Sequence, residues 1–298
     1  MYVTTAIVSG AVALLTAPLF DGAARKVRAI IHSRKGPPII QPYIDILKLL
    51  GKEDLRCTPS TIFRFAPAVA LASFLIVAGL TPIGAGGLGR YGDMIAWVYF
   101  LTLGAAAIML MAAASGNPFS NAGAAREVMM LLSVEPVVVT ALITAAIKSH
   151  SLRLVDMVTA NVAGGPSVSM VTAGIAFFLA LQATMGKLPF DIVEAESEIV
   201  EGPLLEQSGP NLALLKMALL VRQVVYALLL VTLFCPWPIV EPWPVAGLAA
   251  LVKVLVLFVV AAVIEAVSPR MRIDRAMTYM GRILFVALAA LAFAVIGV

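Results

Sequence analysis

The chain has 298 residues, of which 61% are hydrophobic and only 13% are charged, and its mean hydropathy is +1.00. These values exclude a soluble globular protein and indicate a polytopic helical membrane protein. The formal net charge of +4 comes mostly from basic residues between apolar runs, so it predicts a membrane topology and no nucleic-acid binding.

Apolar runs long enough to cross a bilayer, about 17 residues or more, recur along the whole chain. We therefore predict an all-α integral membrane protein with eight transmembrane helices in a single polytopic domain over residues 1–298. The spans lie near residues 3–20, 65–83, 94–114, 127–147, 168–184, 211–234, 246–266 and 279–297.

Basic residues between the spans predict the orientation. Segment 22–64 holds a large share of the 21 Lys and Arg residues, and the positive-inside rule makes it cytoplasmic. With eight spans, both termini then lie outside and the loop 185–210 is cytoplasmic as well. The sequence thus predicts a multi-pass protein of the inner (cytoplasmic) cell membrane.

The first cytoplasmic loop, 22–64, contains a short amphipathic segment. Gly36-Pro-Pro38 forces a turn, and Pro42–Lys52 follows with Asp45, Lys48 and Lys52 on one helical face. At about eleven residues the segment is too short to span, so we predict a helix lying in the membrane interface. It serves either as a simple surface anchor or as a docking platform and rim of an entrance.

The loop 185–210 is strongly acidic, with no Lys or Arg between Leu188 and Leu215. Its acids are Asp191, Glu194, Glu196, Glu198, Glu201 and Glu206. A helix beginning near Pro189 would place four of them (191, 194, 198 and 201) within an arc of about 80°, with Glu196 on the opposite side. Such a stripe would titrate as a coupled set and could pass protons. The alternative is a solvated acidic loop.

Charged residues also fall inside or at the ends of the predicted spans, where they are costly and usually functional. They are Glu127, Glu135, Arg222, Lys253 and Glu265. At several depths, and continuous with the acidic loop, they predict a hydrated charge path. A structural alternative is that Arg222 or Lys253 pairs with Glu135 and only fixes helix packing.

The chain's own residues offer no redox centre. Two cysteines (Cys57 and Cys235) and two histidines (His32 and His150) cannot supply the four ligands of an iron–sulfur cluster or a closed zinc site. We therefore predict no metal and no cofactor in this chain.

Three motifs resemble one family of membrane subunits. They are Pro189-Phe-Asp-Ile-Val-Glu-Ala-Glu-Ser-Glu198, Arg34-Lys-Gly-Pro37 and Pro42-Tyr-Ile-Asp-Ile-Leu-Lys48. The chain resembles the subunit shared by respiratory complex I, where it is subunit 1 or the H-type protein, and membrane-bound group 4 [NiFe] hydrogenases. Glu201-Gly-Pro-Leu-Leu-Glu-Gln-Ser-Gly209 and Val134-Glu-Pro136 look like the formate hydrogenlyase and hydrogenase-4 branch.

The resemblance implies a non-redox membrane subunit beneath a cytoplasmic arm. The arm's small subunit would hold a [4Fe-4S] cluster, its large subunit would hold a Ni-Fe centre, and antiporter-like subunits would adjoin this chain in the lipid bilayer. The resemblance implies that an acidic loop faces the cluster, formed by Asp191, Glu194, Glu196, Glu198 and Glu201. It implies that Glu127 and Glu135 are buried acids. It also implies a docking loop with Arg25, Lys26, Arg34, Gly36 and Pro37.

The leading hypothesis is a coupling subunit of an energy-conserving, hydrogen-evolving complex. The acids above, with Arg222 and Lys253 added because of their burial, would relay redox-driven charge changes towards ion-translocating partners. The alternatives are a quinone-site subunit of a complex I-type enzyme, a passive anchor for the arm, and a free-standing transporter.

Overall fold

The computed structural model describes residues 2–83, 92–238 and 243–297, and these residues form eleven helices. The helices are α1 (Tyr2–Ile31), α2 (Gln41–Leu50), α3 (Thr61–Leu80), α4 (Met94–Ala114), α5 (Pro118–Ser149), α6 (Leu154–Gly164), α7 (Val168–Thr184), α8 (Glu196–Ile199), α9 (Gly209–Phe234), α10 (Trp243–Val267) and α11 (Ile273–Ile296). A single 3-10 turn, Gly202–Leu204, follows α8. An all-α membrane protein is therefore confirmed.

Seven helices of the described chain are long and apolar enough to cross a membrane: α1, α3, α4, α5, α9, α10 and α11. The eighth predicted span corresponds to α7, an apolar helix of 17 residues. Lys148, at the end of α5, donates to Ser167 just before α7, and Gln223, beyond the midpoint of α9, donates to the Met185 carbonyl just after it. The chain after α7 therefore folds back into the bundle.

Helix α9 is the centre of the bundle. In its most apolar window 72% of the residues are buried, against 22% for α11. Its second half, from Val224 to Phe234, is buried throughout, and almost all of it is apolar. A helix that is apolar on every side packs inside a bundle, so any charged residue on α9 is carried into the middle of the protein.

Helices α1 and α5 extend furthest beyond the predicted spans. Helix α1 continues from the apolar run to Ile31 and carries Asp21 and Arg25, which form an i,i+4 ion pair of 2.7 Å. Helix α5 begins at Pro118, ahead of the predicted start at 127, because the Asn117 side chain accepts a hydrogen bond from the Phe119 backbone N–H at 2.9 Å. Hydropathy missed both extensions because they are polar.

Two short helices complete the fold. Helix α2 overlaps the segment Pro42–Lys52, with Pro42 and Ile46 buried, and Gly51 ends it. The Tyr43 hydroxyl donates to the Leu15 carbonyl, which fixes α2 against α1. Helix α6, which was not predicted, is held to α9 by a 2.8 Å hydrogen bond from Asn161 Nδ2 to the Leu233 carbonyl.

The predicted helix from Pro189 is wrong. The backbone from residue 188 to 195 is not helical, because the Leu188 carbonyl accepts from Gln182 Nε2 at 2.7 Å and the Pro189 carbonyl accepts from the Met271 N–H at 2.9 Å. These contacts take the carbonyls that a helix would use. Only α8 is helical here, so the acids do not form a one-sided stripe.

The chain after α8 presses closely on α5. Gly202 has a φ of +50°, and a Cβ there would lie 2.5 Å from the Val193 carbonyl oxygen. A Cβ on Gly123 of α5 would lie 2.6 Å from Pro203 Cδ. Both positions therefore require glycine, and together they hold the acidic loop against the bundle.

Candidate charge-relay site

A buried ion pair lies where α9 crosses α5. Arg222 Nη1 on α9 donates to Glu127 Oε1 on α5 at 2.6 Å, and the two side chains are only 13% and 10% exposed. Arg222 therefore pairs with Glu127, and the predicted alternative pairing with Glu135 is wrong. The pair joins residues 95 positions apart in the sequence.

Glu135 lies two turns beyond Glu127 along α5, a rise of about 12 Å. Its carboxylate accepts a hydrogen bond from Thr102 Oγ1 of α4 at 3.0 Å. Within the described residues it forms no ion pair. Glu135 is thus a partly buried acid within a membrane span, and its hydrogen-bond partner is a neutral hydroxyl. Glu127, by contrast, pairs with a cation.

A cavity of about 60 Å³, with room for several waters, connects these residues to the acidic loop. Its wall includes Glu127, Glu135, Asp191, Glu194 and Arg222, here called the central cluster. The rest of the wall is mainly apolar and comes from α4, α5, α7, α9 and the loop between α7 and α9. The structure therefore brings five of the predicted relay residues to one cavity.

Tyr226 also lines this cavity, one turn beyond Arg222 on α9, and sequence reasoning missed it. Its ring packs edge-on against Trp97, with the ring centroids 5.8 Å apart. The available signal was its spacing of four residues from Arg222, which places both side chains on one helical face.

Glu194 is one of two loop acids that line the cavity, with Asp191. Burial and the negative charge of Asp191 together raise the pKa of its carboxyl group to about 7, against the opposing effect of Arg222. Near neutral pH Glu194 therefore exchanges a proton readily. Its titration is coupled to the charge of Asp191, although the predicted helical stripe is absent.

The other loop acids have separate partners. Asp191 accepts from Arg270 at 2.8 Å, and Glu198 accepts from Arg126 at 2.7 Å. Glu206 accepts from Asn117 Nδ2. The counter-ions missing from the local sequence thus come from α5 and from the segment before α11.

Glu201 and Glu196 complete the predicted loop set. Glu201 has a left-handed backbone, with a φ of +66°, and no ion pair or hydrogen bond to its side chain within the described residues. The side chain of Glu196 lies outside the described part of the structure.

Lys253 does not join the central cluster. Its Nζ donates to the carbonyls of Cys235, Pro236 and Trp237 at 3.0, 3.2 and 2.8 Å. These carbonyls follow the C-terminal end of α9, about 20 Å along the helix from Arg222. The structure therefore gives Lys253 a capping position at the opposite end of the bundle.

Glu265 belongs to a second buried group, here called the α1 cluster. Its members are Asp21, Arg25, Arg28, Lys187 and Glu265. Arg28 donates to Glu265 at 2.6 Å, and Lys187 Nζ lies 3.7 Å from Asp21. Burial lowers the pKa of Lys187, against the opposing effect of Asp21 and Glu265. Sequence reasoning missed Asp21 and Lys187, although Asp21 directly follows the first apolar run.

The predicted docking loop is open to its surroundings. Lys26 and Arg34 are exposed, whereas Arg25 is held by Asp21. The turn folds back on α1, because the Arg34 N–H donates to the Ala29 carbonyl at 2.8 Å and a Cβ on Gly36 would lie 2.7 Å from Ala29 Cβ. Pro37, at the exposed tip, continues the turn.

Metal-ligating side chains are dispersed. Among the described residues, no group of three or more His, Cys, Asp and Glu side chains is placed to hold a metal ion. Cys57 and Cys235 are both exposed free thiols.

The helical membrane bundle and its buried charges define a class of protein, the membrane-embedded subunits of respiratory oxidoreductase complexes. A family model described as NADH dehydrogenase matches residues 3–296, and the chain belongs to this family. The predicted resemblance to the subunit shared by complex I and group 4 hydrogenases is thereby confirmed.

Its similar relatives include two on the hydrogenase branch. The chain is 37% identical to hydrogenase-4 component C of Escherichia coli over 281 residues, covering 90% of this chain and 88% of the relative. It is 34% identical to formate hydrogenlyase subunit 4 of the same organism, covering 92% of each. Identity to an NADH-quinone oxidoreductase relative from Geobacillus thermodenitrificans is 29%, covering 88% of this chain and 83% of the relative.

A solved structure has the same fold. One chain of the membrane-bound sulfane sulfur reductase, an archaeal respiratory membrane complex, superposes with a TM-score of 0.87 at 29% identity, covering 98% of this chain and 99% of that one. The fold is thus that of a subunit within a multisubunit membrane complex.

Proposed function

We propose that this chain is the membrane-anchor and coupling subunit of an energy-conserving [NiFe] hydrogenase complex of the inner membrane. The observation that carries the proposal is the cavity that joins loop acid Glu194 to Arg222, Glu127 and Glu135. The hydrogenase-4 and formate hydrogenlyase relatives support this branch.

The proposal includes eight spans, with α7 as the short fifth one. At about 25 Å, α7 is close to the thickness of a bilayer's hydrocarbon core. The return of residues 185–204 into the bundle makes a longer helix unnecessary. Both termini then lie outside, and α2 lies in the cytoplasmic interface.

Charge coupling is the proposed mechanism. When a [4Fe-4S] cluster in the partner arm changes its redox state, the field at the loop acids changes. At ~10 Å and an effective dielectric constant of ~20, one unit charge contributes about 1.7 kcal/mol, or roughly one pKa unit. Because the pKa of Glu194 is about 7, such a field alters its proton occupancy. The change passes to the Arg222–Glu127 pair, then to Glu135 and towards antiporter-like partners.

The decisive experiment compares three glutamine variants, Glu135→Gln, Glu194→Gln and Glu201→Gln, with the control Glu53→Gln, which removes an exposed acid outside the cavity. Hydrogen evolution, ion uptake and subunit content are measured in inverted membrane vesicles. We expect assembled complexes in which ion uptake per hydrogen falls about tenfold in the three test variants. Unchanged uptake in Glu135→Gln and Glu194→Gln would defeat the relay.

The same vesicles distinguish the two rival functions. Loss of peripheral subunits with normal coupling per remaining complex would indicate a passive anchor. Flavin and NADH-oxidising partners without nickel, found in a mild-detergent pull-down with metal analysis, would indicate a quinone-linked complex. Nickel together with a hydrogenase large subunit is the result expected here.

A further inference from the structure

A second cavity, of about 300 Å³, lies between α1, α2 and α9, apart from the central cluster. Its lining includes the basic residues Arg25, Lys48, Lys52 and Lys216 and the acid Asp45. Nothing in the proposed relay uses it. It combines four basic side chains with one acid and an apolar wall.

The positive charge of this cavity is largely uncompensated. Asp45, the acid in the lining, lies 3.6 Å from Arg25 Nη1. Lys48, Lys52 and Lys216 form no ion pair or hydrogen bond through their side chains within the described chain. Three lysines therefore line one space without a counter-ion from the described residues, which favours an anionic ligand.

The wall beside the lysines is apolar. Ile46 and Leu49 of α2 and Leu220 of α9 line the same space. On its other side α2 carries the exposed side chains of Leu47 and Leu50, which suit contact with lipid. A ligand that matches this surface has a phosphate next to hydrocarbon.

We propose that this cavity binds the phosphate of an anionic phospholipid, whose glycerol and first acyl carbons lie against Leu49 and Leu220. Basic pockets between helices at the cytoplasmic face suit such headgroups, and each Lys or Arg near the surface contributes substantially to binding. Free phosphate shares the charge chemistry but leaves the apolar wall uncovered.

The test is native mass spectrometry of the full-length protein, as purified in its membrane complex, with phosphatidylglycerol or phosphatidylcholine added in detergent. We expect preferential retention of phosphatidylglycerol, weakened by high salt because screening reduces charge attraction. Water-soluble glycerophosphate and inorganic phosphate form the competing arms. Displacement of the lipid by either one at equal concentration would overturn the lipid assignment.

Matched variants locate the site. Lys48→Gln/Lys216→Gln should lower phosphatidylglycerol affinity roughly 25-fold, at about fivefold per lysine. The control Arg275→Gln/Arg282→Gln removes two exposed charges from α11, outside the cavity, and should keep wild-type affinity. Lys48→Arg/Lys216→Arg keeps the charge and should also keep binding. Equal losses in the test and control variants, or no loss in either, would overturn the proposal.

Discussion

The two buried charge clusters differ in balance. In the central cluster Glu127 has Arg222 at 2.6 Å and Asp191 has Arg270 at 2.8 Å, whereas Glu135 and Glu194 form no ion pair among the described residues. In the α1 cluster every acid has a cation at short range: Asp21 has Arg25 at 2.7 Å, and Glu265 has Arg28 at 2.6 Å. Lys187, 7% exposed, adds a further positive charge.

This difference separates a responsive site from a structural one. Acids that lack a dedicated cation and face a water-sized cavity can change proton occupancy at moderate free-energy cost. The ion pairs of the α1 cluster instead connect α1 to α10 and to the loop after α7. Burial alone therefore does not mark the relay, because the charge balance around each acid also matters.

The largest predicted effect follows from breaking the one ion pair of the central cluster. Arg222→Met leaves the Glu127 carboxylate buried without its 2.6 Å partner. Removing one partner of a buried pair costs about 3–5 kcal/mol. We expect a strong fall in the thermal midpoint of the detergent-purified complex. The midpoint is measured by size-exclusion chromatography after heating.

The control is the double variant Arg222→Met/Glu127→Gln, which removes both charges and should recover much of that stability. If the single variant unfolds at the wild-type temperature, the pair does not hold the central cluster together.

An intermediate effect is predicted for Glu194→Gln, through pH. The pKa of Glu194 is raised to about 7, so the folded state favours the protonated form. Its contribution to stability is full below the ordinary glutamate pKa of about 4.5 and is lost as pH rises to 7. Glutamine mimics the protonated group, so the variant should lack this pH dependence, which amounts to about 3 kcal/mol.

Infrared titration measures this group directly. The wild type should have a protonated-carboxyl band with a midpoint near pH 7, which Glu194→Gln lacks and the exposed control Glu53→Gln retains. An unchanged band in Glu194→Gln would assign that titration to another acid.

The sequence predicted the spans well because lipid imposes a simple rule. A bilayer requires about 20 apolar residues per crossing, and seven predicted runs fall on helices that meet this requirement. The cavity residues were also identifiable, because a charge within an apolar run is rare enough to indicate a role. Glu135 and Arg222 were found in this way.

Pairing and loop path were not predictable from local sequence. Arg222 pairs with Glu127, which lies 95 positions away in the sequence. Lys253 donates its hydrogen bonds to backbone carbonyls that no sequence motif identifies. The segment after Pro189 has helical spacing, yet contacts from Gln182 and Met271 take its carbonyls. Tertiary hydrogen bonds therefore prevent a helix that the spacing of the acids alone would predict.

The smallest predicted effect, and the one that sharpens the comparison most, belongs to Lys187→Met in the α1 cluster. Asp21 still has its ion pair with Arg25 when Lys187 is removed. Burial lowers the pKa of Lys187, so the charged form of this lysine is less favourable in the folded protein than in water. Methionine fills similar space and can still pack on Phe258, whose ring centroid lies 5.1 Å from Lys187 Nζ. We expect a stability change of ~1 kcal/mol or less, in the same heating assay as for Arg222→Met and with the exposed-site variant Lys26→Met as reference. A loss as large as that of Arg222→Met would mean that Asp21 depends on Lys187, and that the α1 cluster is as finely balanced as the central one.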